Sequence, residues 1–150
     1  MAAGYYQIIL IPSMNWAELT EDGIEFFGSS TIQFKLLVKY LESLNDLFNS
    51  SPPDKWPSFD KECYFSFDDG TNKFDLELNT GQKEINISEV SVRTSLYKPN
   101  GNILKTLEIC KDICNQFNLK PWDMKIRRII DLNNKSDIAE VVNKFNSFPM

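Results

Sequence analysis

Between Glu84 and Leu132 the apolar positions change their period twice. Val90, Val92, Thr94 and Leu96 recur at every second residue, the signature of a strand with one buried face. From Asn102 to Phe117, Ile103, Leu107, Cys110, Cys114 and Phe117 fall at alternating spacings of four and three, one stripe along a helix. Met124 to Leu132 then returns to a strand-like run, and a strand, a crossover helix and a parallel strand together cover one face of a sheet. The phase slips between Ile85/Ile87 and Val90/Val92. Either a bulge at Ser88–Glu89 restores the phase, or the segment is buried on both faces.

The same reading extends to both sides. Tyr5 to Ile11 predicts a first strand ended by Pro12. Ser13 to Gly28 interleaves Trp16, Leu19, Ile24, Phe26 and Phe27 with acids, and reads as a loop with a short turn, a short strand at Ile24–Phe27 being optional. Ser30-Thr-Ile-Gln33 has the spacing of a capping box, so a helix is expected to run on to about Phe48, with Leu37, Leu41, Leu44 and Phe48 on one stripe. Asn49-Ser-Ser-Pro-Pro should stop it. Phe65/Phe67 and Phe74/Leu76/Leu78 alternate with polar residues, and Asp69-Gly70 and Thr80-Gly81 supply turns, which predicts a three-stranded meander ending in the 84–96 strand. Leu119-Lys-Pro-Trp-Asp reads as a loop, Lys125 to Asp131 as the returning strand, and Ser136 as the cap of a last helix carrying Ile138, Val141, Val142 and Phe145.

The expected order is β-α-β-β-β-α-β-α over residues 1–150, one α+β domain. Without the extra hairpin strand and the last helix it becomes β-α-β-β-α-β, a ferredoxin-like-related arrangement with a mainly antiparallel sheet and helices packed on one face. At 150 residues the chain can bury about two-thirds of its unfolded surface. No run is long enough to cross a bilayer, and the N-terminal apolar run lacks the basic flank of a secretory signal. Three cysteines, an odd number, point away from a disulfide scaffold and toward a reducing, cytoplasmic setting.

Charge changes the picture more than composition does. The net charge is −5, but residues 1–90 carry −9 and residues 91–150 carry +4, and four acids with no base lie between Met1 and Phe34. Such a chain does not bind nucleic acid through bulk electrostatics; it suits a basic partner.

The chain has no histidine, which removes Ser–His and Cys–His nucleophiles, His-based metal sites and the commonest general base. It also has no glycine-rich phosphate loop. Cys110 and Cys114 share a helix face, either as a redox pair or half a metal site, or as small apolar groups on the buried stripe; the second reading is favoured because only Cys63 remains as a further thiol. Asp68 and Asp69, with Asp75 and Glu77 on the next strand, have the chemistry to hold a divalent cation, against the plainer reading of a solvated hairpin and its turn. Arg93 is placed to pair with Asp75 or Glu77. Trp16, Trp56 and Trp122 each suit either a contact surface or half-buried packing.

Residues 85–131 read I-x-I-x-x-V-x-V-R, an amphipathic helix, P-W-D and R-I-I-D, a pattern that resembles small bacterial immunity proteins of polymorphic or contact-dependent toxin systems. The resemblance covers about a third of the chain and carries over no functional residue. It implies a stoichiometric, cytoplasmic inhibitor of a cognate toxin or effector domain, without cofactor or membrane contact; a phage-encoded inhibitor of a host nuclease would share these features. The alternatives are a small carboxylate-dependent, metal-assisted hydrolase using Asp68, Asp69 and Asp75, and an adaptor subunit of a larger assembly. For an inhibitor, the expected interface is a negative surface formed by Glu18, Glu21, Asp22 and Glu25 together with Tyr64, Asp68, Asp75 and Glu77.

Overall fold

The computed structural model describes residues 4–49, 64–71, 73–77, 86–96 and 102–148. Leu78, the Thr80-Gly81 turn, Ile85, Trp56 and Cys63, all singled out above, lie outside the described residues. The elements in order are β1 (Tyr5–Pro12), β2 (Trp16–Thr20), β3 (Gly23–Phe27), β4 (Ile32–Gln33), α1 (Phe34–Ser43), β5 (Leu47–Asn49), β6 (Tyr64–Asp68), β7 (Lys73–Glu77), β8 (Asn86–Ile87), β9 (Val90–Ser95), α2 (Ile103–Phe117), β10 (Leu119–Asp123), β11 (Arg128–Ile129) and α3 (Lys135–Asn146).

Seven strands form an antiparallel sheet in the order β11-β10-β1-β9-β7-β6-β5. Within it, β10-β1-β9-β7 with α2 joining β9 to β10 across β1 is the split β-α-β arrangement of ferredoxin-like folds. One face of the sheet (Tyr6, Ile8, Leu10, Val90, Val92, Phe65 and Phe67) packs on the helices through Leu37, Leu41, Leu107, Cys110, Ile113, Val141 and Phe145 in a single core. The period-two and period-3.6 patterns thus meet in one apolar layer, as the alternation predicts.

The structure corrects the sequence expectations at several places. Ser30 is not a helix cap. Its backbone N–H and carbonyl are both bound by the Asn15 side chain, residues 32–33 extend as β4, and α1 begins at Phe34 with no side-chain cap. The helix also ends early: Asp46 adopts φ +65° and Leu47–Asn49 becomes an edge strand, burying Leu47 and exposing Phe48. A strand uses the apolar residues of 44–48 differently from the helical stripe they mimic.

The third correction replaces the bulge at Ser88–Glu89 by a break. Ile87 pairs with Ile32 in a small second sheet while Val90 onward joins the main one, and Ile87, Val90 and Val92 are all buried. The fourth exchanges loop and strand after α2. Leu119–Asp123 is the returning strand, and residues 124–127 form a turn leading into the two-residue β11. Pro121 fits β10 because its carbonyl accepts from Ile130 N–H at 2.9 Å, on the outer side of the strand. Its missing N–H lies on that same side, away from β1, so no bond to β1 is lost.

Asparagine sets the start of the other two helices. Asn102 accepts from Lys105 N–H, and Asn134, not Ser136, accepts from Ser136 and Asp137 N–H. Arg128 then ties β11 to α3 through Asp137, at 3.2 Å on both guanidinium branches, and through Glu140. The bonds from Arg128 hold the Asp137 carboxyl below its usual range.

The Asp123 carboxylate is fully buried. It accepts the Tyr6 hydroxyl at 2.6 Å on one oxygen and the N–H groups of Lys125 and Ile126 on the other. The Tyr6 ring lies edge-on to Phe145 and Phe148, and burial, then the bond to Asp123, pushes its hydroxyl pKa up. Replacing Tyr6 with Phe should cost about 1–3 kcal/mol, because it leaves a buried carboxylate oxygen without its donor; urea unfolding measures it, and a midpoint unchanged from the parent would show that water replaces the hydroxyl.

Cys110 and Cys114 are buried free thiols on the core face of α2. Burial pushes Cys110 well above the ordinary thiol value and Cys114 up to about 12. Neither should react with a thiol reagent at pH 8 in the folded protein, and both should react once it is unfolded in guanidinium. Labelling at either position at the rate of the unfolded chain would contradict the packing.

Candidate functional site

Residues 16–27 are a β-hairpin standing between β1 and β4. Two five-residue strands meet at Thr20-Glu21-Asp22-Gly23, where Gly23 takes φ +116° and the Thr20 hydroxyl donates to the Gly23 carbonyl at 2.9 Å. The sequence signal was present. Asp22-Gly23 flanked by Trp-Ala-Glu-Leu-Thr and Ile-Glu-Phe-Phe is an Asp-Gly hairpin with alternating arms, and the density of acids obscures it.

The base of the hairpin is locked. Asn15 is buried and its amide bridges Ser30, donating to the carbonyl at 2.9 Å and accepting from the N–H at 3.1 Å, as a paired strand would. Gly28, at φ +121°, leaves room for it: a Cβ there would overlap the Asn15 amide and come within 2.9 Å of its Cα. Ser13 adds backbone and side-chain bonds to the Asn118 carbonyl, just past the end of α2.

The two hairpin faces differ. Alternation puts Ala17, Leu19, Ile24 and Phe26 on one face, and Phe26 lies edge-on to Trp122 of β10 at 6.5 Å. Trp122, Ile9 and Ile11 are buried on the sheet face opposite the helices, so the hairpin meets that face at its β10 side. Trp16, Glu18, Glu25 and Phe27 occupy the other, outward face. There Trp16 stacks on Phe27 with centroids 6.0 Å apart, and its indole N–H donates to Glu18 at 2.9 Å. Glu18 stands directly opposite Glu25, a like-charge pair that opposes hairpin formation.

All four acids, Glu18, Glu21, Asp22 and Glu25, are exposed, and among the described residues no Lys or Arg forms an ion pair with them. Met14 (78%), Trp16 (48%) and Leu19 (54%) are exposed beside them. Sequence reasoning missed the exposed Met14 and Leu19.

The second expected group is placed differently. Tyr64, Asp68, Asp75 and Glu77 share by register the sheet face that meets the hairpin, as alternation requires; the side chains of Tyr64, Asp75 and Glu77 lie outside the described residues. Glu77, Ser91, Ile9 and Trp122 fall in one cross-strand row, so Glu77 is about 14 Å from Trp122 at the usual strand spacing. The backbone register thus puts the strand acids on the sheet face that Phe26 meets, whereas Glu18 and Glu25 are on the outward face of the hairpin. Asp75 is in register with Arg93, itself 5.2 Å from the Tyr5 ring, so this group has a base in its midst. The Asp68 and Asp69 carboxylates accept Gly70 and Thr71 N–H at 2.9 Å, which gives both a role in the turn.

Concave surface is also present among the described residues. A groove of about 460 Å³ lies along Lys125, Ile126, Glu140 and Lys144, and one of about 180 Å³ lies between Lys111, Cys114 and Lys120. Compared with known family models, curated proteins and solved structures, the chain has no significant match. Among the described residues no helix is long and apolar enough to cross a membrane.

Gly28→Ala should lower stability by at least about 1 kcal/mol, from the positive φ alone, with the displaced Asn15 adding to it. Thermal unfolding measures the loss, and a neutral effect would show that the Asn15 clamp does not fix the hairpin base.

Proposed function

We propose that this protein is a non-enzymatic, immunity-type inhibitor that acts in the cytoplasm and binds a cognate basic toxin or nuclease domain through the β2–β3 hairpin. The observation that carries this reading is the hairpin itself, four exposed carboxylates with the exposed side chains of Trp16 and Leu19 on a ribbon with a locked base, and exposed Met14 just before it. Aromatic and apolar groups supply contact area, and the acids supply long-range attraction to a basic surface. A locked base reduces the ordering cost of association. The like-charge pair Glu18–Glu25 costs hairpin stability, and a cationic partner would offset that cost on binding.

The test expresses the product of the neighbouring reading frame alone and together with this protein. Co-expression should protect cells from it, and Glu18→Lys with Glu25→Lys should abolish protection. In vitro the double reversal should slow association by about tenfold or more at low salt, with the difference shrinking as salt rises. Equal protection and equal rates would place the interface away from the hairpin, and a domain that is harmless alone would remove the toxin reading.

A further inference from the structure

The outward face of the hairpin places a flat aromatic pair beside an opposed pair of carboxylates, and this combination has a specific chemical complement. Trp16 and Phe27 are cross-strand partners with their rings 21° from parallel, and Glu18 and Glu25 are the next pair on the same face. Phe27 stacks on one side of the Trp16 indole, which remains 48% exposed. The indole N–H is engaged by Glu18, so Trp16 offers π surface rather than a donor and the Glu18 carboxylate is held against the ring. Trp16, Glu18 and Glu25 are all exposed on this face, and the ring contact of the hairpin with the sheet is made by Phe26, from the opposite one.

We infer that this face docks an arginine side chain of a basic protein partner, with the guanidinium lying on Trp16 and donating to Glu18 and Glu25. A guanidinium is planar and weakly hydrated, so it can stack on a ring while its edge N–H groups bond to carboxylates. A lysine ammonium is a compact, strongly hydrated point charge; it can satisfy the carboxylates or approach the ring, but it does not match both in one plane. The repulsion between Glu18 and Glu25 is relieved by a cation placed between them.

The inference rests on the reading of the hairpin as a docking surface for a basic protein, and the experiment separates the two. The intact protein, labelled with nitrogen-15, is titrated with acetyl-Gly-Arg-Gly-Arg-Gly-amide and with its lysine counterpart, which has the same length and charge. Trp16→Leu assigns the Trp16 indole N–H signal. The arginine peptide should shift that signal and the amides of Glu18, Glu25 and Phe27, binding about two- to fivefold more tightly than the lysine peptide, the range expected of an exposed cation–π contact. Glu18→Gln with Glu25→Gln, which keeps the shape and removes the repulsion, should abolish the shifts, and Trp16→Leu should erase the preference while leaving weak binding. Equal binding of the two peptides at this face would overturn the arginine assignment and leave the basic-partner reading standing. Shifts confined to other residues, or no shifts with either peptide, would overturn both.

Discussion

A carboxylate with no exposure to water needs donors on both oxygens, and Asp123 takes three hydrogen bonds from two separate parts of the fold. It takes a hydroxyl from β1 and two N–H groups from the turn that follows its own strand. The turn lets β11 fold back on β10, β11 carries Arg128, and Arg128 reaches α3. The tyrosine held by the carboxylate is packed by two phenylalanines from α3 and the residues after it. The C-terminal third is thus assembled around one charge. A buried charge tolerates few alternatives, because each arrangement that leaves it unpaired is penalised heavily.

The parts legible in the sequence were those where one period persists and one face is buried. The strand at Val90–Ser95 and the helix at Ile103–Phe117 keep their patterns because both pack on the same core. Legibility failed where a distant residue claims the local groups. Ser30 has cap chemistry, yet Asn15, fifteen residues upstream, takes its backbone. Residues 119–131 failed for a related reason: Pro121 signals a loop and Arg127-Arg128-Ile-Ile signals a strand, but the register is decided by pairing with β1 and by the needs of Asp123.

The candidate site was half legible. The acid count marked the segment, since charge composition survives any error in secondary structure. Its form was hidden because Glu18 and Glu25 occupy positions that an independently stable hairpin would fill with attractive pairs. A ribbon with repelling partners at its middle is poorly encoded by its own residues and depends on its ends, where Asn15, Gly28 and Ser30 fit together.

That closure has a meaning for descent as well as for mechanics. Because the Asn15 amide rejoins the chain at Ser30, the segment between them leaves the sheet and comes back through a single fixed gate. Besides the gate, the sheet senses the hairpin through the contact of Phe26 with Trp122. Arms of other lengths, or a tip of other residues, can occupy the space beyond the gate while β1 and β4 keep their partners. Substitutions on the outward face and at the tip of such a cassette come at little expense to the sheet that bears it.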